Sequence, residues 1–413
     1  RFDNLDAEPT FALIHIELDN FGSINQALGA HIGDDLLAGV ATALSEAQLP
    51  GELIARSGGD AFTVLSAAVT TSSEAEEIAR RFTAAITNGT TQAVTFPLTL
   101  SIGIVMAPEH ADSAVLALAH AEIALAHAKR QGTGTTTLFA ESMAEVSLRH
   151  HRLSVDLRRA IDHGEIAIHL QPQFDANSSR LTGMESLARW THPEFGPISP
   201  VEFIAIAESG GMITDLGGLV LDSSCAFLKE WLDKGYPPAT MSVNVSAVQL
   251  WSIGFYESVT EVINRHGIPP TLLCLEMTES IYVDHSDQGL RLLLGSLTDL
   301  GIRIAIDDFG TGYSGLSYLH SFPFDELKID RSFIVGAEES STRGQIVEQI
   351  VAMGHALGMT VIAEGVEDEA GLAFVQSVGC DLVQGYLFAR PMPTADALAL
   401  GEKLRGDANS PSR

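Results

Sequence analysis

The sequence predicts an α/β protein in two parts, the second a modified (β/α)8 TIM-type barrel with one antiparallel strand. Three observations carry this. Eight short apolar runs begin at Ile166, Met184, Met241, Leu273, Arg303, Glu326, Thr360 and Leu382, each short enough for a buried strand. Most gaps between them are long enough for the crossover helix that parallel strands require. The first gap is only FDANSSR. DANSS is turn chemistry, so the first two runs are expected to pair as an antiparallel hairpin.

In chain order, residues 1–140 read as a separate α/β unit. FALIHIEL is a strand, and Ile24 to Leu44 has a helical apolar rhythm interrupted at Gly29 and Gly33. LIARSGGDAFTVL is two strands around a tight turn, where Gly58 and Gly59 supply φ > 0. Ser73 to Thr87 reads as helix, FPLTLSIGIV as strand, Ser113 to Arg130 as helix and QGTGTTT as loop. Residues 141–160 read as a linker helix, or as the first helix of the barrel, with Leu148, Leu153, Leu157 and Ile161 near i, i+4 spacing. The barrel occupies 161–400, a short helix follows Pro393, and 401–413 is expected to be a disordered tail.

Seven runs carry a polar residue near one end: Glu185, Asn244, Glu276, Asp307 with Asp308, Lys328, Glu364 and Gln384. A buried strand gains nothing from such a tip, whereas a barrel enzyme builds its active site there. A single glutamate at a strand end is ordinarily solvated, but five carboxylates, two amides and one ammonium on one rim predict a hard-cation site for Mg²⁺ or Mn²⁺. Adjacent Asp307 and Asp308 suit only a strand end, because inside a strand one of them would face the core. Gln171 lies on the reversed strand and is expected to stand apart from this rim. Without metal so dense an acidic cage repels itself, so the site is expected to be loose or partly protonated.

The net charge is −29, a surface that repels nucleic-acid polymers and anionic membranes. It does not exclude a small anionic ligand, because bound cations invert the local field. Three scattered cysteines, Cys225, Cys274 and Cys380, argue against disulfides or a zinc ribbon and for a reducing, cytoplasmic compartment. No apolar run approaches the ~20 residues that span a bilayer. The start at Arg1-Phe2 gives the expectation of an upstream sensor or membrane segment.

The motifs carry a family resemblance. ESLARW resembles the EAL signature of cyclic di-GMP phosphodiesterases, with Ser186 in place of alanine. NVSAVQL, EMTES, DDFGTGYSGLSYL, LKIDRSFI, AEGVE and QGYLFARPMP follow in family order, with Gly315 where serine is commoner. The resemblance covers roughly Leu157 to Pro393. It implies that Glu185, Asn244, Glu276 and Asp307 hold one metal, and that Asp307 and Asp308 hold a second. Glu364 would position or deprotonate the attacking water, and Lys328 would orient it and offset developing charge. Arg189 would grip a phosphate of cyclic di-GMP and Leu187 would meet the same substrate, while Gln384, together with Gln171, would contact the substrate or the metal-water network. Glu279 would anchor the loop after the fifth strand, and Glu367 would support the site from behind. The implied reaction is hydrolysis to linear 5′-pGpG by a homodimer. The alternative is a catalytically silent cyclic di-GMP receptor.

RSGGDAF is similar to the signature of GGDEF diguanylate cyclases, which implies a nucleotide-cyclase-like fold. Several of that family's charges are missing. Ala61 replaces the last acid, Glu17 the first metal aspartate, Gly22 the phosphate lysine and Thr133 a later basic residue, although Lys129 remains. Leu49 and Glu52 stand where an inhibitory R-x-x-D motif would fall. Cyclase activity is therefore not expected. Asn25 and Asp34, with Gly58 and Gly59, match nucleotide-binding positions, leaving a GTP-responsive regulatory role as the expectation for this unit.

Overall fold

The computed structural model describes residues 10–67, 69–90, 98–282, 288–310, 319, 321–337 and 341–408. The chain divides into two compact units, Arg1–Arg152 and Leu153–Arg413. Gly315, with most of the loop after the fifth barrel strand, lies outside the described residues.

The first unit is a five-stranded sheet. β1 (Phe11–Leu18) is largely buried on both faces and takes the centre. Helices α1 (Phe21–Leu28) and α2 (Ala30–Ala47) follow, separated at Gly29, whose φ of 91° suits glycine; Gly33 stays inside α2. β2 (Glu52–Gly58) and β3 (Ala61–Ala67) form the expected hairpin. α3 (Ser72–Thr90), β4 (Leu100–Ala107), α4 (Ala114–Gln131) and β5 (Thr136–Leu138) complete a sheet of order β2-β3-β1-β4-β5. β5 corrects the reading of QGTGTTT as loop throughout. Its β-branched threonines pair in parallel with Ile102 and Gly103, and Thr135 O accepts from Ile102 N.

The alanine stripe of α4, including Ala117, Ala121 and Ala124, packs on Leu13 and Val105. The approach is close enough that a Cβ on Gly103 would lie 2.2 Å from the Ala121 carbonyl oxygen. α5 (Glu141–Asp162) buries Leu153, Leu157, Ala160 and Ile161. Leu148 is 70% exposed, so the buried stripe begins later than its spacing implied: a helix face is dry only where another element covers it.

The second unit closes as a barrel. β6 (Ile166–Asp175), β7 (Leu181–His192), β8 (Gly196–Ile198), α6 (Pro200–Ser209), α7 (Ile213–Asp233) and β9 (Thr240–Asn244) open it. α8 (Ala247–Leu250), α9 (Phe255–His266), β10 (Leu273–Thr278), α10 (Gln288–Asp299) and β11 (Arg303–Phe309) follow. β12 (Glu326–Ile329), α11 (Arg331–Ile334), α12 (Ser341–Ala356), β13 (Thr360–Glu364) and α13 (Glu369–Val378) precede the short β14 (Leu382–Gln384), β15 (Met392–Pro393) and α14 (Thr394–Ala408). The ring runs β6-β14-β13-β12-β11-β10-β9-β7 and closes where β7 pairs with β6. β6 is antiparallel to both its ring neighbours, and the other ring pairs are parallel. The short DANSS turn decides this, since a hairpin must reverse the chain.

α14 corrects the expected disordered tail over 401–408: Ala397 is buried, and Arg405 lies over the Tyr236 ring and donates to the Lys234 carbonyl. Residues 409–413 of that expected tail lie outside the described residues. No described helix is long and apolar enough to cross a membrane.

Because Gly103 meets helix backbone, which cannot rotate away, Gly103→Val is expected to destabilise the first unit by about 1–3 kcal/mol. Chemical denaturation checks this; a midpoint equal to wild type would show that α4 yields without strain.

Candidate active site

Alternation along the strands sends Glu185 (β7), Asn244 (β9), Glu276 (β10), Asp307 (β11), Lys328 (β12), Glu364 (β13) and Gln384 (β14) to one site. Lys328 is its centre, only 1% exposed. Its ammonium lies 2.7 Å from Glu364 Oε1, 2.8 Å from Glu276 Oε2, 3.1 Å from Asp307 Oδ1 and 3.4 Å from Glu185 Oε2. Asn244 Nδ2 donates to Glu185 Oε1 at 2.8 Å, and Gln384 Nε2 donates to Glu185 Oε2 at 2.6 Å. Glu185 is thereby held from three sides.

Asp307 and Asp308 reach the same site by a break in the strand. The β11–β12 register shifts between Ile306 and Phe309, and Asp308 takes a left-handed φ of 54°. Few non-glycine residues adopt that conformation, and such strain concentrates at functional sites. Asp308 N donates to Asp307 Oδ1 at 2.9 Å.

Gln171 corrects the expectation that strand reversal would take it off the rim. It pairs in register with Glu185, and its Oε1 accepts from Gln384 Nε2 at 3.1 Å. Reversing a strand changes its direction but not which face alternate residues present. Gln173, two residues on, donates to Gln384 Oε1 at 2.9 Å and is 2% exposed. The sequence reading passed over Gln173, though its signal was there: QPQ places two amides on one face of an apolar strand.

Burial and charge oppose each other throughout. Desolvation pushes Glu185 up, but Lys328 and the two amides outweigh it and hold the carboxyl below its usual range. Glu276 is pushed well above that range by burial, which Lys328 only partly offsets. Burial likewise pushes Glu364 up to about 8. Desolvation, then the neighbouring Asp307, pushes Asp308 up to about 6. Burial alone would pull Lys328 down, but its four carboxylates together hold it well above the ordinary lysine value.

The donor set fits a divalent cation. Glu185, Glu276 and Asp307 each offer an oxygen within 4.8 Å of the others, as do Asp307, Asp308 and Glu364. Glu276 Oε1 is buried with no hydrogen-bond partner among the described residues, an oxygen left over by the protein's own bonding. All the donors are oxygens, which suits Mg²⁺ or Mn²⁺.

The remaining candidates lie around this centre. Leu187 lines both the carboxylate cleft, of about 300 Å³, and an adjacent, more apolar cavity of about 350 Å³. Arg189 lines the apolar cavity, and its Nη1 donates to the Ala188 carbonyl at 2.9 Å. Glu279 Oε2 accepts from Gly310 N at 3.2 Å, at the start of the loop. Glu367 pairs with Arg331 at 2.7 Å. Ser186 faces away from the centre, where its hydroxyl is hydrogen-bonded to Ser224 on α7 at 2.7 Å.

In the first unit Glu17 and Asp19 are already engaged. Glu17 pairs with Lys129 at 2.5 Å. Asp19 accepts from Ser101 Oγ at 2.6 Å and from Gly134 N at 2.9 Å. No trio of metal-type side chains gathers among the described residues of this unit. These residues do not fit a metal pair. Gly58 and Gly59 form the β2–β3 turn, where Arg56 Nε donates to the Gly59 carbonyl at 2.9 Å. Asp34 lines a cleft with Arg56 and Phe62. The buried Asn25 Oδ1 abuts Gly33, where an added Cβ would lie only 1.8 Å away.

Residues 154–391 match the EAL domain family, and residues 2–135 match the diguanylate cyclase GGDEF domain family. The chain is 37% identical to a Pseudomonas aeruginosa protein named bifunctional diguanylate cyclase/cyclic di-GMP phosphodiesterase MucR, covering 94% of this chain and 57% of that protein. It is 34% identical to the cyclic di-GMP phosphodiesterase NbdA of the same organism, covering 97% of this chain and 51% of that one. It therefore spans about half the length of these curated relatives. A solved structure of the PaMucR phosphodiesterase in complex with c-di-GMP superposes with a TM-score of 0.57 at 41% identity, covering 60% of this chain and 99% of that one.

Without metal the folded chain holds protons that the unfolded chain has released, because Glu364 is raised from 4.5 to about 8 and Asp308 from 3.8 to about 6. Stability from these groups is then complete below their unfolded values and is lost as pH rises through the folded ones. Glu185, shifted the other way, acts below this window. In chelator the thermal midpoint of the second unit is expected to fall between about pH 5 and pH 8. Saturating Mg²⁺ should remove most of the fall, and Glu364→Gln should flatten it. A flat wild-type profile in chelator would overturn this charge account.

Proposed function

The chain belongs to the EAL domain family, with a GGDEF domain in tandem, and on that premise we propose that its second unit is a metal-dependent phosphodiesterase that opens cyclic di-GMP to linear 5′-pGpG. The observation that carries the reading is the complete ring of Glu185, Asn244, Glu276, Asp307, Asp308 and Glu364 about the buried Lys328. A silent receptor has no use for so many desolvated carboxylates, each of which opposes folding unless compensated.

In this reading Glu185, Asn244, Glu276 and Asp307 would hold one divalent cation, and Asp307 with Asp308 would hold a second. Bound there, the cations would polarise the phosphoryl oxygens and lower the pKa of a water. Glu364, raised toward neutrality, receives the proton of the attacking water. The water oxygen bonds to phosphorus and the P–O bond to the ribose 3′ oxygen breaks; that oxygen takes a proton from solvent and leaves as the 3′ hydroxyl, and a 5′-phosphate remains. Lys328 donates to the charge that develops on the phosphoryl group. Gln171 and Gln384 keep Glu185 oriented, and Leu187 and Arg189 meet the substrate. Glu279 anchors the loop through Gly310. The first unit is non-catalytic and GTP-responsive: Ala61 lacks a carboxylate, and Glu17 and Asp19 are bonded elsewhere. The same proposal includes a homodimer through the second unit and a cytoplasmic setting, the latter supported by three free, buried cysteines.

The test is incubation with cyclic di-GMP and Mg²⁺ or Mn²⁺, with and without GTP, resolving products by chromatography. A 5′-pGpG peak is expected; tight binding with no product would make the chain a receptor. Glu185→Ala should abolish turnover, and a rate within a few-fold of wild type would remove its role. Lys328→Ala should lower kcat by roughly 10²–10³ and alter Kd far less. Equal losses would reassign Lys328 to substrate binding.

A further inference from the structure

The carboxylate cleft has an electrostatic problem at its mouth. Glu185, Asp307, Asp308, Glu364 and Glu367 all line it, and the proposed substrate is an anion. Arg331 is the one cation among the described residues that line it; Arg189 opens on the adjacent cavity. Arg331 begins α11, three residues after Lys328 on β12, so the strand that supplies the central ammonium also delivers a guanidinium to the rim.

Arg331 is held in place rather than loose. Its Nη2 lies 2.7 Å from Glu367 Oε1, with the two side chains 58% and 39% exposed. Its stem crosses Gly365 so closely that an added Cβ there would lie 2.3 Å from Arg331 Cγ. Gly365 has a φ of 69°, where side chains are rarely found. A half-exposed pair of this kind contributes little to stability. It does hold a planar fork of donors beside the cleft, the geometry that suits a phosphate.

We propose that Arg331 receives a substrate phosphate at the mouth of the carboxylate cleft, and that Glu367 and Gly365 position it. This rests on the phosphodiesterase reading and deepens it: the centre acts on the scissile phosphate while Arg331 fixes the anion against the repulsion of the carboxylates. Glu367 is then a positioning residue acting through Arg331, which explains why it bonds the guanidinium and not Lys328.

The test compares wild type, Arg331→Ala, Arg331→Lys, Glu367→Ala and the Arg331→Ala/Glu367→Ala double variant. KM and kcat are measured for cyclic di-GMP, and Kd by calorimetry in a Glu364→Gln background with Mg²⁺. Arg331→Ala should raise KM and Kd about tenfold, with a much smaller change in kcat. Arg331→Lys should recover part of the loss. Glu367→Ala should raise KM a few-fold alone and add nothing in the double variant, since residues acting through one contact are not additive. KM and Kd of Arg331→Ala within twofold of wild type would overturn the proposal, and multiplicative losses would remove the positioning role. A wild type that binds without turnover defeats the hydrolase reading alone, with Kd still deciding Arg331. A wild type that neither binds nor turns over defeats both.

Discussion

One ammonium holds the carboxylate-bearing end of the barrel together. Lys328 touches four carboxylates inside a ring of strands, with almost no solvent contact. Removing charge from water is unfavourable for each of these groups. The attraction of one cation to four anions offsets part of that, and protonation of Glu276 and Glu364 offsets more. The arrangement is short of positive charge, and that shortage suits it to a cation. Glu276 Oε1 has no partner among the described residues, so an incoming metal would complete the bonding of the cage.

Backbone geometry decides which carboxylates join the cage. A regular strand would send Asp307 and Asp308 to opposite faces. The register shift and the left-handed Asp308 bring both to the site. On the opposite arc of the ring the hairpin of β6 and β7 sets Gln171 beside Glu185, and Gln384 links the two. The first unit shows the contrary outcome. Its sheet and hairpin are intact, yet Lys129 occupies Glu17 and Ser101 and Gly134 occupy Asp19. With Ala61 at the signature turn, no carboxylate oxygen among the described residues there is left buried and unpartnered as Glu276 Oε1 is; the orphaned atoms are Asn25 Oδ1, His127 Nδ1 and Thr137 Oγ1.

Much of the fold was legible because strand composition, gap length and turn chemistry are local properties. FDANSSR was enough to reverse β6. The misreadings occurred where a neighbour overrides local composition. QGTGTTT reads as loop until β4 offers an edge. The tail reads as disordered until Tyr236 and the Lys234 carbonyl receive Arg405. Gln171 was set aside because strand direction was mistaken for strand face. Leu148 was counted in the apolar stripe although nothing buries it.

The sequence by itself determined the architecture and the identity of the ionisable groups, since period, gap and residue type are written along the chain. The motifs also named the family. Only the tertiary structure decided how those groups share their charge. That Lys328 is the hub, that burial raises Glu364 to about 8, and that Glu367 bonds Arg331 all depend on distances between segments far apart in sequence. The reason is physical: Coulomb energy and desolvation depend on separation in space and depth from water, and neither quantity can be read along a chain.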